Sequence, residues 1–246
     1  MGKILEVDLS SGEIEELELE EHLYRDYIGG SALAARLLYE RGDLEAGSLD
    51  PEALLIFMAG PLTGLGMSGS SSLTVAARSS LTGFYADASC EGNFGPEMKR
   101  CGYDGAIFKG KSKRPVYLNL DGEKAELEEA GDVWGKDTYE ATDILKNKRG
   151  KNAKVIAVVT AAENGVLFGY VHNDYGHTMR HADMGTVMAS KNLKAVVAHG
   201  KQKIAFKDEE AYKKVRDAFR EAIDESVTMQ ALNALGTVAN MEGMML

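Results

Sequence analysis

The chain has 246 residues, of which 44% are apolar and 27% charged, as is typical of a folded protein with a substantial core. Its formal net charge of −10 argues against nucleic-acid binding, which needs clustered Lys and Arg. No apolar run approaches the about 20 residues of a membrane span. Two cysteines, Cys90 and Cys101, fit a reducing cytoplasm better than a disulfide framework. We therefore expect a cytoplasmic protein with no membrane or nucleic-acid partner.

Periodicity and turn residues in the first half of the chain predict alternating strands and helices. Ser31 is predicted to cap the first helix and Gly42 to follow its end. Pro96 and Gly102 bracket a second, short helix. In chain order, the predicted elements are a hairpin of 4–9 and 14–19, a helix over 32–39, strands over 53–59 and 73–77, a helix over 94–101 and a strand over 106–108.

The second half continues the mixed pattern and then changes character after Gly200. Asp121-Gly122 predicts the turn of a second hairpin. Residues 208–226 have the pattern of a charged amphipathic helix, and the length of the chain allows one large domain or one domain with an appendage. The predicted elements are strands over 116–120 and 125–127, a helix over 138–148, strands over 155–159 and 166–171, a helix over 184–190, a strand over 193–198 and a helix over 208–226.

Two segments together predict a ligand cradle. Residues 60–110 hold many of the chain's 27 glycines between ordered elements, where backbone can approach a ligand closely and N–H groups can bind an anion. Within them, residues 68–72 together with 89–95 are rich in small donors and free backbone and form the first segment. Residues 173–185 lead into a predicted helix, and His177, Arg180 and His181 could add positive charge for a phosphate. Glycine-rich loops with one Arg are also common as plain turns. The sequence alone leaves both interpretations open.

Conventional catalytic and metal-binding patterns are missing from the sequence. Cys90 and Cys101 are interpreted as small buried hydrophobic residues. His177 and His181 are spaced to share a helix face, but the acid of the known zinc motif is absent, so we predict no metal ligand. Glu97, Lys99 and Arg100 are predicted to form a solvated helix face.

Several ordered segments resemble the N-terminal domain of the tungsten-dependent aldehyde ferredoxin oxidoreductases. The opening hairpin and the helix after residue 205 also fit this order, and the match covers about residues 1–200. The segments are Tyr27-Ile-Gly-Gly30, Gly60-Pro-Leu-Thr-Gly64, Ser79-Ser-Leu-Thr-Gly83, Gly92-Asn-Phe-Gly-Pro-Glu-Met-Lys99, Cys101-Gly-Tyr-Asp-Gly105, Val133-Trp-Gly135 and Met184-Gly-Thr-Val-Met-Ala-Ser-Lys-Asn-Leu-Lys-Ala195.

The resemblance implies an α+β fold of two packed β-sheets with short flanking helices. It assigns residues 1–205 to a tungstopterin-binding domain and 206–246 to the start of a following, truncated helical domain. It also implies a bis-pterin tungsten or molybdenum cofactor with a bridging magnesium ion, which oxidises an aldehyde to a carboxylic acid. Electrons would pass to ferredoxin through a [4Fe–4S] cluster whose cysteines lie in later domains, so the isolated chain is expected to be inactive and to self-associate through uncovered apolar surface.

The same resemblance implies the cofactor-binding residues, with departures. Ser72 and Ser89 stand where the family has an arginine and an asparagine, and Asp183 replaces a glycine. Lost charge-assisted contacts to phosphate would cost roughly 1.5–3 kcal/mol each unless backbone donors compensate. The alternative hypothesis is therefore a stand-alone relative that has lost the cofactor and serves as a binding or assembly module. The implied cofactor-binding residues are Ser72, Ser89, Gly92, Asn93, His177, Thr178, Arg180, His181 and Gly185, with no catalytic residue among them.

Overall fold

The computed structural model describes residues 3–180 and 182–240, with side chains up to residue 238. The chain forms two compact units, Met1–Ile204 and Ala205–Leu246, and each is described by itself. The larger unit contains two six-stranded sheets and short helices, which confirms the predicted α+β class. Within the described residues, no helix is long and apolar enough to cross a membrane.

The first sheet is built from the N-terminal half of the larger unit. Its strands are β1 (Lys3–Asp8), β2 (Ile14–Leu17), β3 (Leu55–Ala59), β4 (Leu73–Arg78), β5 (Tyr85–Cys90) and β6 (Tyr103–Lys109). They lie in the order β2-β1-β6-β3-β4-β5, and all neighbours are antiparallel except β1 and β6. Strand β3 is buried along its whole length, because Phe57 faces the second sheet while Ile56 and Met58 face a covering helix. This two-sided burial explains its unbroken apolar sequence.

The second sheet repeats this arrangement with the remaining strands. These are β7 (Val116–Asp121), β8 (Lys124–Glu129), β9 (Lys154–Val158), β10 (Val171–Asn173), β11 (His177–Met179) and β12 (Leu193–His199). Their order is β11-β10-β9-β12-β7-β8, with β12 and β7 the parallel pair. Strand β5 ends one sheet and β11 the other, and these two edge strands contact each other.

Among the described residues, six helices complete the larger unit: α1 (Glu21–Tyr27), α2 (Gly30–Arg41), α3 (Phe94–Arg100), α4 (Thr138–Arg149), α5 (Thr160–Glu163) and α6 (Met184–Ser190). Helix α2 covers the outer face of the first sheet and α4 that of the second. Helices α3 and α6 contact strands of both sheets. Phe94 and Met98 from α3 and Met188 from α6 lie fully within the large apolar core that joins the sheets.

Most predicted elements are present, but three local predictions are wrong. Helix α2 begins at Gly30, so Ser31 lies inside the helix, and its hydroxyl is 3.0 Å from the Tyr85 hydroxyl. The predicted strand over 166–171 does not form, because the Thr186 hydroxyl donates to Val166 O (2.7 Å) and accepts from Gly169 N (3.0 Å). These two bonds draw the segment towards α6 and leave only its last residue in β10.

The predicted solvated face of α3 is also wrong for two of its three residues. Glu97 is 6% exposed, and its carboxylate accepts a hydrogen bond from Gly200 N at 2.8 Å. Lys99 donates to Gly60 O at 3.1 Å and pairs with the buried Asp104 at 3.2 Å. Only Arg100 is exposed. Helix α3 is inserted between the two sheets, so Glu97 and Lys99 form hydrogen bonds and an ion pair within the protein and do not face solvent.

The two cysteines behave largely as the sequence predicted. Cys101 is completely buried in the large core, and burial raises the pKa of its thiol to about 12. Cys90 is half-buried and packs against the same core, and burial raises its pKa too. Both thiols are therefore held in the protonated, unreactive form at neutral pH.

The smaller unit contains α7 (Glu209–Glu225), α8 (Val227–Leu235) and a 3-10 helix (Gly236–Asn240). The predicted helix over 208–226 is confirmed, with Asp208 as its cap: the carboxylate accepts from Ala211 N at 2.8 Å. Val215 and Phe219, on the apolar stripe of α7, are both exposed.

A buried ion pair fixes the second sheet. Lys194 sits where the pairing of β12 with β7 shifts register, and its side chain is 0% exposed. Its ammonium donates to Lys136 O (2.9 Å), Val158 O (3.2 Å) and the Glu163 carboxylate. The other carboxylate oxygen of Glu163 accepts from Gly135 N at 2.7 Å. The pair thus connects β12, β9, α5 and the loop before α4.

Lys194→Met is expected to destabilise the fold by about 3–5 kcal/mol, because it leaves a buried carboxylate and two carbonyls without their donor. Urea unfolding followed by circular dichroism measures the loss. The matched control is Lys148→Met, whose ion pair with Asp132 is roughly half exposed and should contribute at most about 1 kcal/mol. Equal losses in the two variants would contradict a structural role for the buried pair.

Candidate functional site

A cleft of about 570 Å³ lies where residues of the two sheets meet. One wall comes from the turn between β4 and β5 and from β5 itself. The other comes from the segment before β10, from β11 and from the residues leading to α6. The lining residues are Ser79, Leu81, Thr82, Ala86, Phe168, Tyr170, Thr178, Arg180, Ala182 and Asp183.

The β10–β11 hairpin places Thr178 and Arg180 in this cleft. Its turn is fixed by Asp174, a non-glycine residue with a φ of 49°, whose carboxylate accepts from Val155 N at 3.0 Å. The same carboxylate pairs with Lys146 of α4 at 3.0 Å. The hairpin is therefore anchored to both β9 and α4, and the exposed Arg180 directly follows β11.

The opposite wall is a turn that is organised by the buried Ser79. Its hydroxyl accepts from Leu81 N at 3.1 Å and from Thr82 N at 3.0 Å. Asp183 reaches the same turn across the cleft: one carboxylate oxygen accepts from Ser80 N, from the Ser80 hydroxyl and from Leu81 N at 3.1 Å. Asp183 is 4% exposed, so this contact is largely shielded from solvent.

The two segments predicted to form one cradle do approach each other, at Gly92. A Cβ at Gly92 would lie 2.5 Å from Asn173 Nδ2 and 3.0 Å from His177 Cδ2. Asn173 is 1% exposed and donates to Glu91 O at 3.1 Å. The loop before α3 and the β10–β11 hairpin are thus packed so closely that only glycine fits between them.

Two other predicted cofactor-binding residues, Ser72 and Ser89, are not among the residues that line the cleft. Ser72 lies beside β4, and its carbonyl accepts from Thr63 Oγ1 at 2.8 Å. Ser89 Oγ is 2.7 Å from Thr74 Oγ1, on the face of the first sheet that α2 covers. Ala86, three residues earlier, lines the cleft from the other face. The side chain of Ser89 therefore does not meet Arg180.

Asn93 is exposed and precedes α3, with no capping hydrogen bond from its side chain. His181 lies outside the described residues. The idea that His177 and His181 share a helix face is wrong, because His177 is in the strand β11. Across the described part of the chain, no group of three or more His, Cys, Asp or Glu side chains could hold a metal ion.

Gly185 is buried, and its surroundings explain why it is glycine. A Cβ there would lie 2.3 Å from Tyr170 O and 2.5 Å from Tyr170 C. Helix α6 therefore packs directly against the backbone of the segment that lines the cleft. This close contact positions Tyr170 and the neighbouring Phe168.

Sequence reasoning missed the β4–β5 turn as part of the site, although Ser79–Gly83 stood among the segments that carried the resemblance. It also missed the apolar residues at the mouth of the cleft. Leu81, Phe168 and Tyr170 are 61%, 74% and 41% exposed. A cleft with an exposed apolar rim is typical of a surface that another part of a protein covers.

A second cavity of about 460 Å³ lies on the outer face of the first sheet, between α2 and the β4–β5 hairpin. Tyr39, Leu54 and Phe84 contribute to its largely apolar lining. Its one arginine, Arg78, donates to the carbonyls of Gly83 (2.7 Å), Leu44 (2.9 Å) and Ala46 (2.8 Å). Because these three hydrogen bonds occupy the Arg78 guanidinium, the first cleft, which contains Arg180, is the better candidate for an anionic ligand.

Comparison with known proteins places this geometry in a family. Residues 4–200 match the family model described as "Aldehyde ferredoxin oxidoreductase, N-terminal domain". The tungsten-containing aldehyde ferredoxin oxidoreductase of Pyrococcus furiosus is 34% identical over 212 residues, 86% of this chain and 35% of the relative. The "Aliphatic sulfonate oxidoreductase, WOR-like subunit" of the same organism is 32% identical over 217 residues, 81% of this chain and 34% of the relative.

A solved structure agrees with these relatives. The complex titled "Active site complex BamBC of Benzoyl Coenzyme A reductase in complex with 1,5 Dienoyl-CoA" matches with a TM-score of 0.88 and 33% identity. The match covers 91% of this chain and 34% of that chain. The two-sheet fold is thus shared with oxidoreductases. The chain belongs to the aldehyde ferredoxin oxidoreductase family, in its N-terminal domain, and it spans about a third of the length of the relatives it matches.

Gly185→Ala is expected to destabilise the larger unit by roughly 1–3 kcal/mol, because the new methyl group overlaps the Tyr170 backbone. The better helix propensity of alanine, worth about 1 kcal/mol, offsets only part of this cost. Thermal unfolding measures the change. Gly176→Ala is the control, since a Cβ at Gly176 meets nothing within 4 Å, and its effect should stay within about 0.5 kcal/mol. A silent Gly185→Ala variant would contradict the close packing.

His172 gives the fold a pH dependence. It is buried near the rings of Tyr139 and Tyr170, and its Nδ1 has no hydrogen-bond partner among the described residues. Burial, and then the nearby His177, lower its pKa below the ordinary 6.5. As the pH falls, His172 is therefore protonated in the unfolded chain before it is protonated in the folded protein. The stability that the neutral His172 contributes is fully present above pH 6.5 and is lost as the pH drops below this value.

His172→Phe should flatten this fall, because phenylalanine does not titrate. Unfolding free energies of the two proteins, measured by urea titration between pH 5 and pH 8, test the expectation. The difference between them should be constant above pH 7 and should change in favour of the variant as the pH falls below 6.5. Parallel curves through the whole range would show that His172 does not cause the acid sensitivity.

Proposed function

We propose that this chain is the cofactor-binding domain of a tungsten or molybdenum bis-pterin oxidoreductase in the cytoplasm. The enzyme would oxidise aldehydes to carboxylic acids and pass the electrons to ferredoxin. The observation that carries the proposal is the cleft, in which Arg180 and Thr178 of one sheet face the β4–β5 turn of the other. Family membership supplies the cofactor class, since its relatives are tungsten-containing enzymes.

The residues of the cleft fit one side of a phosphate-bearing cofactor. Arg180 supplies an exposed guanidinium, and the hydroxyls of Thr82 and Thr178 can donate or accept hydrogen bonds. The small side chains of Ala86 and Ala182 also line the cleft. When bound, the cofactor would supply the two-electron redox chemistry, while the protein binds and orients it.

Each of these side chains has a distinct role in the proposal. Arg180 holds a phosphate by charge-assisted hydrogen bonds, which are about twice as strong as neutral ones. Thr82 and Thr178 orient the polar edges of the ligand. Leu81 and Phe168 exclude water once the cleft is covered. A magnesium ion would bind with the phosphates, for which the described residues provide no cluster of acidic ligands.

The apolar rim supports a further part of the proposal, that the cleft is completed by the protein regions that this chain does not span. Relatives are about three times as long as the matched segment. We expect the [4Fe–4S] cysteines and the substrate channel to lie in those regions. The isolated chain would then be inactive, and its exposed Leu81 and Phe168 would favour homo-oligomers.

One set of observations favours the alternative, a relative that has lost the cofactor and serves as a binding or assembly module. The hydroxyl of Ser89 already contacts Thr74, and Asp183 puts a carboxylate into the cleft. Neither offers a positive charge to a phosphate. The two functions differ in one measurable respect, the presence of metal and pterin.

The test is metal analysis of the gene product purified from tungstate-supplemented cells of its source. The proposal predicts tungsten or molybdenum by mass spectrometry together with pterin fluorescence. Arg180→Gln should lower both by about tenfold, as expected for the loss of a charge-assisted contact. Arg114→Gln, which removes an exposed arginine paired with Glu129, should leave both unchanged. Absence of metal and pterin from the unmodified protein would refute the proposal and favour the alternative.

A further inference from the structure

Asp183 makes an unusual set of contacts for a residue that precedes a helix. It occupies the N-cap position of α6, yet its side chain does not cap that helix. The carboxylate instead binds Ser80 N, Ser80 Oγ and Leu81 N, 103 and 102 positions earlier in the chain. All three donors converge on the same oxygen. The β4–β5 turn therefore receives one negatively charged oxygen atom.

Successive backbone N–H groups that point at one spot form a nest, a concavity that binds anions. In this chain the anion in the nest is part of the protein. We propose that the Ser80–Leu81 turn is an anion-binding corner of the cleft, suited to a phosphate or carboxylate oxygen, and that Asp183 occupies it. Asp183 is thus a specificity-determining residue that excludes ligand phosphates from this corner.

The consequence is an electrostatic polarity along the cleft. Asp183 contributes a negative charge on one part of the lining and Arg180 a positive charge on another. A ligand with an anionic group should therefore bind with that group at Arg180 and Thr178. Removing the Asp183 side chain would free the Ser80 N–H and hydroxyl for a ligand in the cleft, together with the Leu81 N–H, which keeps its hydrogen bond to the Ser79 hydroxyl. The corner would then accept an external anion.

The experiment is a titration with inorganic phosphate, followed by amide NMR of the isotope-labelled chain. In the unmodified protein, phosphate should shift the amide signals around Arg180 and leave those of Ser80 and Leu81 in place. In Asp183→Gly, the Ser80 and Leu81 signals should shift saturably, with phosphate affinity at least about tenfold higher than in the unmodified protein. In the double variant Asp183→Gly/Arg180→Gln, the amide signals around position 180 should no longer shift with phosphate. The Ser80 signal should still shift.

Two controls separate the corner from a change in net charge. Asp183→Asn retains an acceptor oxygen that can stay in the nest, so it should gain little phosphate binding at Ser80. Glu129→Gln removes one exposed negative charge far along the sequence and should behave as the unmodified protein. If Asp183→Gly does not fold, Asp183→Ser is titrated in its place, and phosphate should also raise its melting temperature more than that of Glu129→Gln.

Phosphate shifts at Ser80 and Leu81 in the unmodified protein would overturn the proposal, because the corner would then be open. A folded Asp183→Gly or Asp183→Ser variant without a phosphate response at these residues would overturn it equally. The inference does not depend on the proposed enzyme function. A chain that holds no tungsten can still show the opened corner, and a tungsten-loaded chain can fail to show it.

Discussion

The apolar core between the two sheets is the interaction on which the rest of the molecule depends. Helices α3 and α6 insert into it, so Phe94 and Met188 pack against strands of both sheets at once. This packing brings the edge strands β5 and β11 into contact and sets the two walls of the cleft opposite each other. In the described part of the chain, the cleft is lined by strands of the two sheets and the segments next to them, without a separate helix or strand. Its shape is a consequence of how two otherwise separate sheets are held together.

The sequence predicted the elements with strong local patterns and failed where long-range contacts decide. Strand β3 and helix α4 follow from periodicity, because their burial is regular along the chain. The segment 166–171 has the composition of a strand, but two hydrogen bonds to Thr186 hold most of it outside the sheet. Charge singled out Arg180 and the resemblance Thr178, and both side chains line the cleft. The part played by Ser80 was not predictable, since its partner Asp183 lies 103 positions away.

The relatives indicate what this domain has in common across different chemistries. Proteins named for aldehyde, aliphatic sulfonate and benzoyl-CoA chemistry match it at 34%, 32% and 33% identity. On this shared unit, Leu81 and Phe168 form an exposed apolar rim. Under the proposed function, substrate choice would be a property of the regions that cover this rim.

The packing around Gly185 bears on how members of this family can be compared. Alanine at this position would overlap the Tyr170 backbone. This steric requirement for glycine is the same whether or not the cleft holds a ligand. A sequence that has abandoned catalysis would therefore keep this glycine for as long as it keeps its fold. Arg180 has an exposed side chain and no comparable steric reason to persist. If Arg180 holds the cofactor as proposed, an evolutionary survey would find the arginine retained in working enzymes and lost in relatives without the cofactor. Retention of the glycine would record only that the protein still folds.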